Sequence, residues 1–449
     1  MAAPPVTRDA PRLRGERGCT LDRHKRDELT RIGFAFNQKP EPAPPEGGDE
    51  SEAPSPEEEP PSSRRDAASR NSAPPASIHG ITAGAALASP LPTSDEFAEW
   101  DSQETIDAVA DALAALGDVV RLEATEDFPE QLRAERPDIV FNIAEGLHGV
   151  NREAHVPAIC EFHGIPYSGS DPFTLSLCLD KARTKEILSF HGVPTAPFVL
   201  IDSMEQWPAL RRRVVASANA SRSIGSRSDA TRRRLRLPLF VKPVHEGSSK
   251  GITERNFCRT VVELESQIAF LLEMYDQPVI VEEYLPGDEF TCAVLGNGDE
   301  ARLLPVVGLR FDALPEGAVP IYGFEAKWLW DRPENPLEIF ECPARIGESL
   351  RYEIEKVVLA TYRVLGCRDW SRIDVRLDAT GRPNVVEVNP LPGILPNPDD
   401  NSCFPKAARA AGIGYDELIQ SCALLAAQRQ GVSLHQPAGR APMRAAVAG

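Results

Sequence analysis

The residues of this 449-residue chain that could do chemistry cluster most densely at 371–393, SRIDVRLDATGRPNVVEVNPLPG. Asp374 and Glu387 offer carboxylates and Asn389 an amide oxygen, the hard ligands that Mg²⁺ takes when it also meets nucleotide phosphates. Arg372 beside them could stabilise a developing oxyanion. Residues 372–377 and 384–388 are rich in β-formers and flank a short glycine-containing loop, a hairpin signal. Folding about 379–380 sets 372 opposite 387 and 374 opposite 385, to within a residue, so all four side chains share one patch. A charged hairpin face with cross-strand ion pairs would produce the same pattern, and both readings stand at this point.

Other stretches could handle phosphate. Residues 237–253 read strand, Gly/Ser loop, strand, with Lys242 on the first strand; backbone N–H groups of such a loop can wrap phosphate oxygens. It is no Walker loop, because no Gly-Lys-Ser/Thr opens a helix. Residues 278–294 read as a hairpin whose turn offers a backbone edge and Glu289. Lys181 and Lys185 lie one turn apart on a helix running from about 174 to 192. His148 sits in a loop after a buried strand, where α/β domains bind ligands. Each signal alone is weak: a hairpin, a solvated lysine face and a structural histidine explain them as well.

The elements that must position these residues alternate strand and helix from 31 to 170, which implies a parallel α/β sheet. Ser102 is a helix N-cap candidate and Gly117 a helix stop. Residues 38–93 collapse into Pro, Glu, Ser and Ala and cannot bury enough apolar surface to order themselves, so a disordered insertion is expected there. Residues 208–237 form a basic low-order insertion. A net charge of −18 argues against nucleic acid or an anionic membrane as main partner. No run approaches the roughly 20 apolar residues of a membrane span. Nine scattered cysteines without a C-x-x-C pair read as reduced thiols, and the N-terminus lacks a signal-peptide core, so a cytoplasmic location is expected.

Taken in order, these pieces resemble the D-alanine–D-alanine ligase family of ATP-grasp enzymes. The marks are LHG at 147–149, IPYSGSD at 165–171, LDKARTK at 179–185, LFVKPVHEGSSKG at 239–251, VEEYLPGDEFT at 281–291, EAKW at 325–328, the stretch at 372–394, and SCFPKAARAAGIGYDELI at 402–419. The resemblance implies an α/β, three-domain ATP-grasp fold, with ATP between two antiparallel sheets. Its implied organisation is a loose tail at 1–25, an N-terminal α/β domain at 26–170, a central subdomain at 171–285, a catalytic subdomain at 286–428 and a loose tail at 429–449.

The resemblance also implies roles. Lys181 and Lys242 would meet phosphates; Glu282, Glu283 and Leu285 would frame the adenine, and Glu289 the ribose. Glu246, Gly247, Ser248 and Ser249 would form the loop over phosphates and substrate, and Lys327 would help bind the transferred phosphoryl group. Asp374, Glu387 and Asn389 would hold two Mg²⁺ ions (Mn²⁺ as an alternative), and Arg372 would stabilise the tetrahedral oxyanion. His148, Gly393 and Ser402 would touch substrate. The implied reaction phosphorylates one D-alanine carboxylate and lets the amine of a second attack. Alternatives are a ligase for other amino acids or a peptide, and a non-catalytic ATP-binding protein. Small-molecule substrates are the implied partners, and family members are commonly homodimers.

The sequence departs from the family at the amino-acid end. The Gly-Gly-x-Ser-x-Glu stretch after the first strand is replaced by residues 37–40 and the insertion, with Glu99 as a candidate substitute glutamate. Trp328 stands where the family has tyrosine, and residues 150–153 replace its Gly-Glu-Asp-Gly.

Overall fold

The structure is a computed structural model that describes residues 29–40, 97, 99–215, 234–330 and 337–435, without the side chains of Trp328 and Leu329. The expected tail at 1–25, the part of the expected 429–449 tail beyond residue 435, most of the 38–93 insertion and the middle of the 208–237 insertion lie outside the described residues. The tail expected from 429 begins too early, because Arg429 and Gln430 still belong to a helix and Arg429 pairs with Asp369.

Three parallel strands open the fold: β1 (Arg31–Phe36), β2 (Asp118–Glu123) and β3 (Ile139–Asn142), ordered β2-β1-β3. Helix α1 (Gln103–Ala114) enters through Ser102, whose hydroxyl accepts from the Thr105 N–H, and buries Ile106, Val109 and Leu113 at helical spacing. Helices α2 (Phe128–Glu135) and α3 (His155–His163) complete this unit. The single helix expected from 174 to 192 is two helices, α4 (Pro172–Leu179) and α5 (Lys181–Phe190). Asp180 breaks the run: its backbone is extended (ψ 97°) and its carboxylate caps the N–H groups of Ala182 and Arg183.

The central sheet holds β4 (Phe198–Ile201), then, beyond α6 (Trp207–Arg211) and the short pair β5 (Val214–Val215) and β6 (Leu235–Arg236), strands β7 (Leu239–Pro243), β8 (Phe257–Cys258) and β9 (Val279–Glu283). Its order is β4-β9-β7-β8, every pairing antiparallel, with α7 (Val261–Tyr275) packed on it.

The third sheet runs β13-β12-β10-β14-β15, with β11 on the edge of β10. Its members are β10 (Glu289–Leu295), β11 (Arg302–Leu303), β12 (Val307–Leu309), β13 (Phe340–Glu341), β14 (Trp370–Leu377) and β15 (Pro383–Asn389). The hairpin expected at 278–294 does not exist. Strand β9 pairs with β4 and β7, and β10 with β12 and β14, so residues 284–288 carry the chain from one sheet to the other. Local pattern could not separate a turn from a crossover of the same length.

Helix α8 (Glu348–Leu365) covers this sheet, α9 (Cys403–Ala410) packs against its strands β10 and β12, and α10 (Tyr415–Gln430) returns to α1 of the first domain. There Trp370 packs between Phe141 and Phe404, at centroid distances of 5.6 and 5.7 Å. The fully buried Asp369 accepts from the Gly169 N–H and pairs with Arg429 at 2.8 Å. Those contacts tie the N-terminal sheet to the third sheet at one end of the cleft between sheets. Among the described residues, no helix is long and apolar enough to cross a membrane.

Candidate active site

Strands β14 and β15 set the metal-type donors. Arg372 pairs with Asn389 and Asp374 with Glu387; a bulge then shifts the ladder so that Val375 meets Val385. The expected register placed 372 opposite 387. The tip of the hairpin and the extra residue Val386 each displace it by one position, a change that strand alternation cannot anticipate. The four side chains still line one cleft of 380 Å³ between the central and third sheets. Arg372 Nη2 lies 3.3 Å from Asp374 Oδ2, to which Asn389 Nδ2 donates at 3.4 Å. Asp374 Oδ1 is buried without a hydrogen-bond partner. Burial, with Glu387 adding to it against Arg372, raises the Asp374 pKa above the usual carboxylate range.

Across the cleft, α5 and the central sheet supply cations. Lys181 pairs with Glu387 at 2.8 Å and also donates to the Glu246 carbonyl. Lys185 and Lys242 each pair with Glu282, at 2.8 and 2.9 Å. All three lysines are buried, so none belongs to a solvated face. Burial raises the Glu282 pKa, but the two lysines outweigh it and bring it down to about 2. Glu387 is likewise lowered, burial being outweighed by Lys181 and Lys242.

The Gly/Ser loop after β7 closes one side. Ser248 and Ser249 have φ of 49° and 63°, a left-handed conformation that side chains rarely adopt and that surrounding contacts must hold. Ser249 Oγ donates to the Tyr322 carbonyl at 3.2 Å. On the other side of the loop stands Glu99, which Arg152 Nη2 and Lys250 Nζ each approach to 3.2 Å. A Cβ at Gly247 would collide with this carboxylate, so the glycine is what lets the loop lie against it. Burial raises the Glu99 pKa, yet Arg152 and Lys250 leave it lowered. Glu99 therefore reaches the cleft as an ionised carboxylate already held by two cations.

Asp101, Glu145 and Glu153 line the same end and make no ion pair among the described residues. Burial pushes Asp101 and Glu153 up to about 7, Glu99 adding to the rise at Glu153. Glu145 is raised well above the usual carboxylate range by burial and by Glu99, Glu153 and Asp101. Lys327, on the π-helical segment Glu325–Trp330, also lines the cleft; burial and then Arg372 lower it to about 8.

At the opposite end the last residue of β9, the linker 284–288 and β10 contribute Glu283, Tyr284, Leu285 and Glu289 to the lining. Arg376 Nη1 donates to Glu289 Oε2 at 2.7 Å. Gly393 and Ser402 meet where Ser402 Oγ donates to the Gly393 carbonyl at 3.2 Å, and both line the cleft. His148 does not join them. It is exposed and absent from the lining, since Gly146 and Gly149, both with positive φ, turn its loop outward. The Trp328 side chain lies outside the described residues.

Asp101, Glu145, Arg152, Glu153, Lys250 and Arg376 line or support the cleft without having been singled out for it from the sequence. Arg376 had a signal, because it shares a strand face with Arg372 and Asp374. The others sit on loops or, for Arg152 and Glu153, on a three-residue 3₁₀ helix, too short for a period to be read. Among the described residues no group of three His, Cys, Asp or Glu side chains is disposed to hold a metal, so the donors here are two carboxylates and an amide.

The family described as D-ala D-ala ligase C-terminus matches residues 191–423. The chain is 32% identical over 335 residues to a D-alanine–D-alanine ligase of Pelotomaculum thermopropionicum, covering 74% of this chain and 93% of the relative. The chain belongs to the D-alanine–D-alanine ligase family. A Sinorhizobium fredii protein named uncharacterized protein y4sG is 34% identical over 310 residues, 69% of this chain and 81% of its own length. The fold is that of the Bacillus anthracis D-alanine–D-alanine ligase complexed with ATP, with a TM-score of 0.54 at 21% identity over 90% of this chain and 99% of that one. That neighbour's fold matches the ATP-grasp expectation drawn from the motifs.

Proposed function

We propose that this D-alanine–D-alanine ligase family member joins a carboxylate to an amine at the expense of ATP, through an acyl phosphate, with D-alanine as both substrates and a peptidoglycan precursor as product. The observation that carries this reading is the convergence on one cleft of Lys181, Lys242, Lys327, Arg372, Asp374, Glu387 and Asn389.

Lys181, Lys242 and Lys327 present positive charge to nucleotide phosphates from an α-helix, a strand and a π-helical segment. The residues present fit Mg²⁺: Asp374 and Glu387 face each other on the ladder, and Asp374 Oδ1 lacks a partner. Asp374, Glu387 and Asn389 would hold the ions, which when bound neutralise charge on the phosphate oxygens. Glu282, Glu283 and Leu285 border the adenine and Glu289 the ribose. Residues 246–249 cover the phosphates, with Ser248 turned into the site by its strained backbone. Arg372 donates to the oxyanion formed when the amine adds to the acyl phosphate, and Gly393 and Ser402 border that second substrate. Transfer of this kind depends on positioning and electrostatics, which these fixed buried charges supply. We place the enzyme in the cytoplasm, where ATP is available, and as a homodimer. The domain boundaries follow the sheets, with the central and catalytic units meeting at residues 285–286.

A second reading, a ligase for another amino acid or a peptide, is favoured by Glu99. It fills the position proposed for the family's substrate-gripping glutamate, yet its charge is matched by Arg152 and Lys250. The test is phosphate release from Mg·ATP with D-alanine and with a panel of D- and L-amino acids, hydroxy acids and dipeptides, products being identified by mass. Release with D-alanine and formation of D-alanyl-D-alanine supports the first reading; release only with another pair moves the substrate and keeps the mechanism.

A further inference from the structure

Arg376 has no part in the mechanism above, yet it is among the most heavily engaged side chains of the cleft. It is 5% exposed and sits at the nucleotide end. Its guanidinium approaches two rings, with Cζ 4.7 Å from the Tyr284 centroid and 5.0 Å from that of Phe311. In its plane it reaches three acceptors: Nη1 donates to Glu289 Oε2 at 2.7 Å, and Nη2 to Tyr284 Oη at 2.6 Å and to the Pro320 carbonyl at 2.8 Å. Tyr284 Oη in turn donates to that carbonyl at 3.2 Å.

These partners come from four separate segments: β10, the crossover linker, the 3₁₀ helix Phe311–Ala313 and the loop containing Pro320. That loop continues into Ile321 and Tyr322, which line the cleft, and then to Lys327. A planar fork with several donors satisfies such a set, whereas an ammonium can make the charge contact but not the stacked, multidentate one. The bond to Oε2 leaves Oε1 of Glu289 for another donor and fixes the plane of the carboxylate. An ionised carboxylate only accepts, so what it can take is a hydroxyl or N–H group.

We propose that Arg376 is a positioning residue for the ribose end of the nucleotide site: by clamping Glu289 and docking the Pro320 loop, it sets the preference for a nucleotide that carries ribose hydroxyls. The proposal rests on Glu289 being the ribose ligand. Its effect passes through Glu289, so it is read in the choice between nucleotides and not in turnover.

The experiment is equilibrium binding of ATP and of 2′,3′-dideoxyATP, with Mg²⁺, to the full chain and to Arg376→Met, Arg376→Lys and Glu289→Gln. A hydrogen bond to a charged group is worth about 1.5–3 kcal/mol, so wild type is expected to favour ATP by roughly 10–100-fold. Arg376→Met reduces that ratio to within about threefold by weakening ATP alone, since this is the loss of that same bond. Arg376→Lys falls between, and Glu289→Gln loses the ratio while keeping the arginine. Combining Arg376→Met with Glu289→Gln lowers the ratio no further. Equal weakening of both nucleotides by Arg376→Met would make Arg376 a structural staple and overturn the proposal, as would an unchanged ratio in both arginine variants. If the Met variant does not fold, the Lys variant decides by the same ratio. Wild type that binds both nucleotides alike removes the ribose role of Glu289 and the proposal with it. Wild type that binds neither refutes the ligase reading itself.

Discussion

The two ends of the cleft handle charge in opposite ways. At the end proposed for nucleotide and metal, four carboxylates face cations: Glu282 with Lys185 and Lys242, Glu387 with Lys181, Glu289 with Arg376, Asp374 with Arg372. These residues stand mainly on strands and on α5. At the amino-acid end Glu99 takes both Arg152 and Lys250, and Asp101, Glu145 and Glu153 are left without ion pairs among the described residues. Those residues stand on loops and short turns. One end is electrostatically closed, and it is the end proposed to take the phosphates. The other holds surplus carboxylates at the end proposed to choose the amino-acid substrate.

The largest effect that would break this contrast is at Glu282. Replacing it with Gln leaves Lys185 and Lys242 buried without their counter-charge, which is expected to cost about 3–5 kcal/mol of stability. Urea titration of the purified variant measures it, and a loss under about 1 kcal/mol would show that the closed end is not held by this triad. The same triad gives a pH signature. Because the folded pKa of Glu282 is depressed to about 2 from 4.5, its contribution is present above 4.5 and is lost as pH falls toward 2. That contribution disappears in the Gln variant.

Next in size, Arg372→Ala should lower kcat about 10²–10³-fold while ATP affinity stays close to wild type, as expected for a donor to an oxyanion that only the reaction forms. Weak ATP binding with normal turnover would instead assign Arg372 to the nucleotide. A smaller effect is expected at the open end. Glu99→Gln removes the charge that Arg152 and Lys250 share beside the Gly/Ser loop, and should raise the KM of the amino-acid substrate roughly 10–100-fold, as for residues that orient others. An equal rise in the KM for ATP would erase the distinction between the ends. The smallest is a pH effect at Lys327. Its ammonium, lowered to about 8, is present below that pH, so ATP affinity of the free enzyme should fall as pH rises through about 8. Lys327→Arg, which stays charged, should move that limb upward.

The same contrast explains what the sequence could convey. Strand residues announce themselves: Arg372, Asp374, Glu387 and Asn389 could be grouped on one face by alternation, although the bulge at Val386 changed who faces whom. Lys242 and Glu282 were legible as strand residues but not as partners, because the 279–283 and 289–295 strands look like one hairpin until the sheets are seen apart. At the other end no period relates Glu99, Arg152 and Lys250. They meet only because Asn37–Asp101 backbone contacts and the Trp100 bond to the Gly146 carbonyl bring the returning chain onto the loop after β3. His148 shows the converse: the resemblance sets it beside the substrate, whereas the structure leaves it exposed and outside the cleft lining.

The most direct test of the account is to trap the acyl phosphate. With Mg·ATP, D-alanine and hydroxylamine in place of the second amine, the enzyme is predicted to release phosphate and form D-alanine hydroxamate, and Arg372→Ala to form far less. ATP binding without hydroxamate from D-alanine or any other amino acid would contradict the claim that the closed end activates a carboxylate.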